Sequence, residues 1–146
     1  PISSIPYGTP VQQPDFLLSI LDESSFTITA AYGGLSTRIA RAKILLSNAQ
    51  PNQSYGIDIT FSNRINSPKF SLHLDNDQRL YAIPYTLLFH GEEVEGGKSI
   101  RWEKLVSYAN YKDIRITEVD ALRAEMAPAG DYFDTITVTI TPLDTL

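Results

Sequence analysis

The sequence predicts an all-β fold, and three features carry that prediction. Most apolar segments repeat with a period of two, turn residues separate them, and helix signals are scarce. A period of two matters because successive side chains of a strand point to opposite faces, so alternation marks a strand with one wet face and one on a core. Phe26, Ile28 and Ala30 alternate with Thr27 and Thr29, and Ile57, Ile59 and Phe61 with Asp58, Thr60 and Ser62. Phe70, Leu72 and Leu74 alternate with Ser71, His73 and Asp75. Ile114 and Ile116, extended to Glu118, alternate with Arg115 and Thr117. Last, Ile136, Val138 and Ile140 alternate with Thr135, Thr137, Thr139 and Thr141.

The punctuation agrees. Gly33-Gly34, Asn48 to Asn52 with Pro51, Asn66 to Pro68, Asp75 to Asp77, Gly96-Gly97 and Pro128 to Gly130 fall between the runs. Asp120 to Met126 suits one helical turn, while Leu17 to Leu21 declares no period. Ile39 to Leu46 imitates a helix, but its Ile-rich content and its setting favour a strand. Short strands at this spacing predict an immunoglobulin-like Greek-key β-sandwich of about seven to nine strands with little helix.

Length and composition bound the rest. A chain of 146 residues and 16.3 kDa suits one domain. We place that domain at residues 15–146, after an extended arm at 1–14 that carries prolines 1, 6, 10 and 14. Proline fixes φ and lacks an N–H, so the arm is expected to be largely unpaired. A net charge of -5 argues against nucleic acid as a partner, because phosphate neutralisation needs clustered Lys and Arg. The densest basic group, Arg38, Arg41 and Lys43, reads as a solvated strand face. With no cysteine, disulfides and thiolate metal sites are impossible, which is neutral about compartment. No segment is apolar over the roughly 18 residues a spanning helix needs, so no membrane span is expected.

No catalytic or metal-binding pattern emerges, and we expect no enzyme activity, cofactor or metal. His73 lies on the polar side of an alternating run and His90 precedes Gly91 at a turn; both read as solvated surface histidines. Asp75-Asn76-Asp77 opens like a calcium loop, but Leu80 and Thr86 stand where that loop needs its Gly and its bidentate Glu. It reads as an Asx-rich turn. Gly91 to Gly97 lacks the Lys-Ser/Thr of a phosphate loop, and its Glu92, Glu93 and Glu95 would repel phosphate. Trp102 is expected to anchor the core. The best exposed aromatic cluster is Tyr108 and Tyr111 flanking Asn110, a candidate ligand surface.

The most specific stretch runs from Ala129 through Gly130, Asp131, Tyr132, Phe133 and Asp134 into Thr135 to Thr141. Read as one strand from Gly130 to Thr141, it joins a Gly, a Tyr and a Thr ladder alternating with β-branched aliphatics. Here the sequence resembles bacterial pilin-like subunits of the spore coat protein U and chaperone–usher type. A second stretch is compatible: Phe70 to Asp77 with Ile83-Pro84-Tyr85-Thr86-Leu87-Leu88-Phe89 is similar to their mid-domain strand pair, ahead of a Trp-bearing segment at Ile100 to Leu105.

The resemblance implies a non-enzymatic structural or surface-assembly subunit outside the cytoplasm, in the periplasm, at the cell surface or secreted. Its partners would be other protein subunits, and its sandwich would lack a strand. The gap is then filled by an extended segment of another subunit. Gly130, Tyr132, Ile136, Val138 and Ile140 are the candidate assembly strand or groove residues. The prolines of residues 1–14 count against that arm as donor, and Phe16, Leu18 and Ile20 form a better alternating set. Two alternatives stand beside this: a complete sandwich whose last strand is an ordinary core element, and an adhesin-type module binding carbohydrate, protein or a host-surface ligand.

Overall fold

The computed structural model describes residues 13–23 and 25–143, so the arm expected at 1–14 lies outside the described residues except for its last two. The described chain is an all-β sandwich of two antiparallel sheets. The strands are β1 (Asp15–Asp22), β2 (Ser36–Ser47), β3 (Ile57–Asn63), β4 (Phe70–Leu74), β5 (Ala82–Phe89), β6 (Glu92–Glu93), β7 (Ser99–Trp102), β8 (Tyr108–Thr117), β9 (Tyr132–Phe133) and β10 (Ile136–Pro142). β6 and β9 have only 2 residues each, leaving eight longer strands, within the expected range. One sheet runs β1-β2-β8-β5-β4-β9, with β6 beside β5; the other runs β10-β3-β7. The chain therefore crosses between sheets after β2, β3, β6, β7 and β9, and these crossings wrap both sheets around one core.

Alternation builds that core. From β3, Ile57 and Ile59 are fully buried and Phe61 is 1% exposed, while Asp58 and Thr60 face outward. They meet Ile44 and Leu46 of β2, Ile114 and Ile116 of β8, and Leu87 and Phe89 of β5, all buried. Phe89 packs on Phe61 at 5.3 Å between ring centroids and edge-on to Trp102 at 5.6 Å. Trp102 is thus a core anchor, as its sequence setting predicts. The Lys112 ammonium lies 5.2 Å from that indole, and burial pulls its pKa down against the opposing charge of Glu92.

Ile39 to Leu46 is indeed strand, inside β2. A bulge between Arg38 and Ala40 adds Ile39 to the ladder and breaks strict alternation there. Leu17 to Leu21 resolves as β1, paired to β2 from Asp15↔Ser47 to Asp22↔Ala40. Asp120 caps a short helix, α1 (Ala121–Glu125), by accepting from the Arg123 N–H. No helix among the described residues is long and apolar enough to cross a membrane.

Several expectations change. Phe26 to Ala30 is not a strand: Ile28–Ala31 forms a 3₁₀ turn, with Ala30 N–H donating to Thr27 O at 3.0 Å. Alternation over five residues does not separate a short strand from a 3₁₀ turn. Glu118 does not join the buried row of β8; its φ of 50° turns the backbone so that Val119 is buried instead, bridged to Tyr32. Gly130 to Thr141 is not one strand. β9 pairs with β4, β10 pairs with β3, and the chain changes sheets at Asp134-Thr135. Phe16, Leu18 and Ile20 are not spare; they are the inward residues of β1.

Truncating a fully buried side chain loses both its transfer energy and the contacts around the cavity left behind. Ile59→Ala should lower unfolding free energy by about 2–5 kcal/mol, read from urea denaturation.

Candidate functional site

The two sheets do not close against each other along one side. There an open cleft of about 700 Å³ reaches the core, with Phe61, Leu72, Leu87, Ile114 and Ile116 on its floor. Its lining also includes Ile20 of β1 with Phe26 and Ile28, and Gly130 to Ile136 and Val138 around β9 and β10. Among the described residues β1 bonds only to β2 and β10 only to β3, so each strand carries one unpaired edge. The inward residues of β10, namely Ile136, Val138 and Ile140, are half-buried, whereas their β3 neighbours Ile59 and Phe61 are at most 1% exposed. The apolar face of β10 is therefore only partly covered.

The corner between β9 and β10 is held by polar groups. The Tyr85 hydroxyl donates to Asp134 Oδ2 at 2.5 Å, joining the β5 side of the cleft to the sheet crossing. Asn76 Nδ2 donates to Thr135 Oγ1 at 3.1 Å, and Asp75 N–H to Asp131 O at 2.9 Å. Arg64 in turn donates to Asn76 O. The Tyr132 hydroxyl donates to Pro128 O, and its ring meets Tyr81 edge-on at 6.4 Å. Gly130 has φ +149°, a backbone conformation that side-chain-bearing residues rarely adopt, and a Cβ there would stand 2.5 Å from the Leu74 Cδ1 methyl, which would have to shift.

Burial is the main reason the Asp134 carboxyl is pushed above its usual pKa, against the Tyr85 hydrogen bond that favours its charged form. Burial also pushes the Tyr85 hydroxyl well above 10, with the Asp134 charge adding to it. His73, read from sequence as solvated, is 8% exposed. It lies between Ala82 of β5 and Phe133 of β9, and its Nδ1 has no partner among the described residues. Pairing at both edges of β4 covers it, which alternation alone does not disclose. His90 is exposed in its turn at φ 50°.

The Asx-rich stretch is a tight turn. Asp75 and Asn76 have φ of 52° and 55°, and Asn76 and Asp77 N–H groups donate back to His73 O and Leu74 O. The Asp77 carboxylate is taken by Arg79, whose hydrogen bond is the main cause holding its pKa down to about 2. Among the described residues no group of three or more His, Cys, Asp or Glu comes together.

The aromatic cluster lies apart from the cleft lining. Tyr108 is 79% exposed and Tyr111 48% exposed. Arg41 and Lys43 approach the Tyr111 ring at 5.6 and 6.0 Å, and Arg41 also pairs with Asp113 at 3.2 Å. Asn110 does not join them as a free amide. Its Oδ1 accepts from Val106 N–H and its Nδ2 donates to Val106 O and Ile44 O, so it braces the loop before β8.

Of the residues singled out from sequence, Gly130, Tyr132, Ile136 and Val138 share the cleft, and Ile140 continues the same face of β10. Tyr85, Asp134, Phe26 and Ile28 were missed there. Only Asp134 left a signal, as the polar residue interrupting the run between Phe133 and Ile136.

No protein-family model matches the sequence, and no curated protein matches it. Among solved structures, the chain is similar to one described as "Chaperone-tip adhesin complex is vital for synergistic activation of CFA/I fimbriae biogenesis", at 17% identity and a TM-score of 0.49. The match covers 88% of this chain and 44% of that one, so this chain spans less than half the length of its structural neighbour.

The raised carboxyl gives a pH test. Where the folded pKa lies above the unfolded one, the native state binds more protons than the unfolded state between the two, and stability falls as pH rises through that interval. Asp134→Asn keeps an acceptor for Tyr85 and removes the ionisation. The thermal midpoint of Asp134→Asn relative to wild type should rise as pH climbs above about 3.8 and level off once pH has passed the raised value of the folded carboxyl. Tyr85→Phe leaves the carboxylate without its partner and should destabilise by about 1–3 kcal/mol at neutral pH.

Proposed function

We propose that this protein is a non-enzymatic assembly subunit, pilin-like in architecture, whose open cleft accepts an extended strand from another protein chain. The observation that carries this reading is β10: one paired edge, one edge unpaired among the described residues, and the half-buried row of Ile136, Val138 and Ile140 beside an apolar cleft. An added strand would satisfy that edge with main-chain hydrogen bonds and cover those residues with its own alternating side chains. Gly130, Tyr132 and Asp134 would set the end of the cleft by holding the crossing from β9. We place the protein outside the cytoplasm on the resemblance of Gly130 to Thr141 to pilin-like subunits, and fractionation of the native source checks that location.

Assembly should be concentration-dependent, because anything that binds only the open form shifts its population by mass action. Light scattering of the full chain should show oligomers at high concentration that dissociate on dilution. Val138→Asp should abolish them, while circular dichroism shows a folded monomer. Oligomers unaffected by that charge, or a wild-type monomer at every concentration, would contradict strand acceptance.

A second reading, a binding module, is favoured by Tyr111 between Arg41 and Lys43 and by Tyr108 on a braced loop. It expects Tyr108→Ala with Tyr111→Ala to remove a glycan or protein ligand without changing the oligomer.

A further inference from the structure

We infer that a second, smaller pocket behind the sheet crossing binds a neutral, hydroxyl-rich ligand, either a free polyol or one terminal sugar unit. The site is separate from the strand-accepting cleft and does not require it. It holds about 110 Å³, several times the roughly 10–15 Å³ that one water needs. β9 pairs with β4 only at His73 and Leu74. Beyond them, beside Ser71, no strand continues the sheet among the described residues, and the edge of β4 is left to a loop and to Asp134. Polar side chains from four segments converge there: Ser67 and Lys69 from the β3–β4 loop, Ser71 and His73 from β4, Gln78 from the β4–β5 turn, and Asp134 from the crossing.

The frame of this pocket is fixed in advance. Asn63 Nδ2 donates to Ser67 O and Lys69 O, both at 2.9 Å, and its Oδ1 accepts from the Ile65 and Ser67 N–H groups. One amide thus ties down the β3–β4 loop. Gly96 N–H donates to Pro68 O at 2.8 Å, and a Cβ at Gly96 would collide with Ser67 O, so a second loop packs directly on the first. Asp77 accepts from the backbone N–H and the guanidinium of Arg79, which closes the turn around Gln78. Tyr85 holds Asp134. Walls placed in this way lower the ordering cost of binding.

The lining defines the ligand. His73 is 8% exposed and its Nδ1 is sealed without a partner, so any polar contact of this ring with a ligand comes from Nε2. That nitrogen donates or accepts according to tautomer, and the hydroxyls of Ser67 and Ser71 and the Gln78 amide do both. Lys69 and Asp134 carry opposite charges, so the pocket calls for no net charge: an anion would meet Asp134 and a cation Lys69. A neutral group that donates and accepts through one atom is a hydroxyl. Ile65, 59% exposed, lines the same pocket and offers an apolar contact to the C–H groups of a sugar or polyol. Asp134 is the strongest acceptor and lines the cleft as well. Burial pushes its pKa up, while hydrogen bonds donated to it favour the charged form. Ligand hydroxyls would add such bonds, so they bind the ionised carboxylate more tightly. Around it stand Tyr85 on β5, His73 on β4, Arg64 and Lys69 on the β3–β4 loop, and Asp131 and Tyr132 on its own segment. Asp22 and Glu23 lie elsewhere in the cleft lining.

Sorbitol, methyl α-glucopyranoside and methyl β-galactopyranoside are titrated into the ¹⁵N-labelled full chain, with acetate, glycine and acetamide as rivals. The chain has only 2 histidines, so His90→Gln leaves His73 as the sole source of imidazole signals. Sorbitol or a pyranoside should shift the His73 Nε2 signal saturably; sorbitol alone identifies a free polyol, a pyranoside alone a sugar terminus. Affinity should rise as pH climbs above about 3.8 and level off beyond the raised value of the folded carboxyl. Asp134→Asn should weaken binding about tenfold at neutral pH and flatten that pH dependence. The same change is expected to gain stability relative to wild type as pH rises, so weakened binding there is not a lost fold. Ser71→Ala with Gln78→Ala should also weaken binding about tenfold, with the thermal midpoint unchanged. Tighter binding of acetate, glycine or acetamide than of any hydroxyl ligand overturns the proposal, as does affinity that falls with rising pH. So do His73 signals that sorbitol and both pyranosides leave unmoved, or binding that both variants leave intact.

Discussion

A sandwich core needs cover from both of its sheets, and here the sheets differ in width. Six strands lie side by side in one sheet, from β1 to β9, against three in the other. The floor residues Leu87, Ile114 and Ile116 are themselves at most 4% exposed, and the incomplete cover falls on the inward row of β10, Ile136, Val138 and Ile140. β10 is the last strand of the narrow sheet, held by its ladder to β3 from Ile136↔Asn63 to Pro142↔Ile57. The character of the cleft follows from that single ladder. Among the described residues it leaves one strand edge without partners and one apolar row without full cover, and both shortages lie in the same place. Backbone groups and apolar surface call for the same remedy, a further strand.

The polar corner explains how an open side can persist without collapsing. A partly filled core ordinarily relaxes by moving its walls together. Here the wall is tied at the sheet crossing: Tyr85 to Asp134 within the cleft lining, and Asn76 to Thr135 and Asp75 to Asp131 behind it. Asp134 keeps its place although burial disfavours its charge. A carboxylate held at a sheet crossing against that penalty fixes where β9 ends and β10 begins, and so fixes the end of the cleft.

Much of the fold was legible in the sequence because period two survives wherever one strand face is wet. Ile57, Ile59 and Phe61, or Ile136, Val138 and Ile140, could be assigned to inward faces without any structure. The failures have local causes. Phe26 to Ala30 imitates a strand over a span too short to separate from a 3₁₀ turn. Glu118 lost its register through one positive φ, and His73 was covered by strands on both sides, neither of which period can show. The cleft was legible only in part. Its β10 wall was visible as a Thr ladder, but whether those aliphatics were covered depended on which strands flank β10. That is a property of topology. The Tyr85–Asp134 bond joins residues far apart in sequence, and nothing near either one marks it.

Strand acceptance requires that β10 have one paired edge and one waiting edge. Hydrogen exchange at single-residue resolution distinguishes the two edges, on dilute full-length protein and again at high concentration. Alternate amides of β10, those turned toward β3, should be protected in both samples, while the intervening set exchanges quickly when dilute and slows on concentration. Protection of both sets at the lowest concentration would mean that the chain completes its own sandwich and that β10 has no edge left for a second chain.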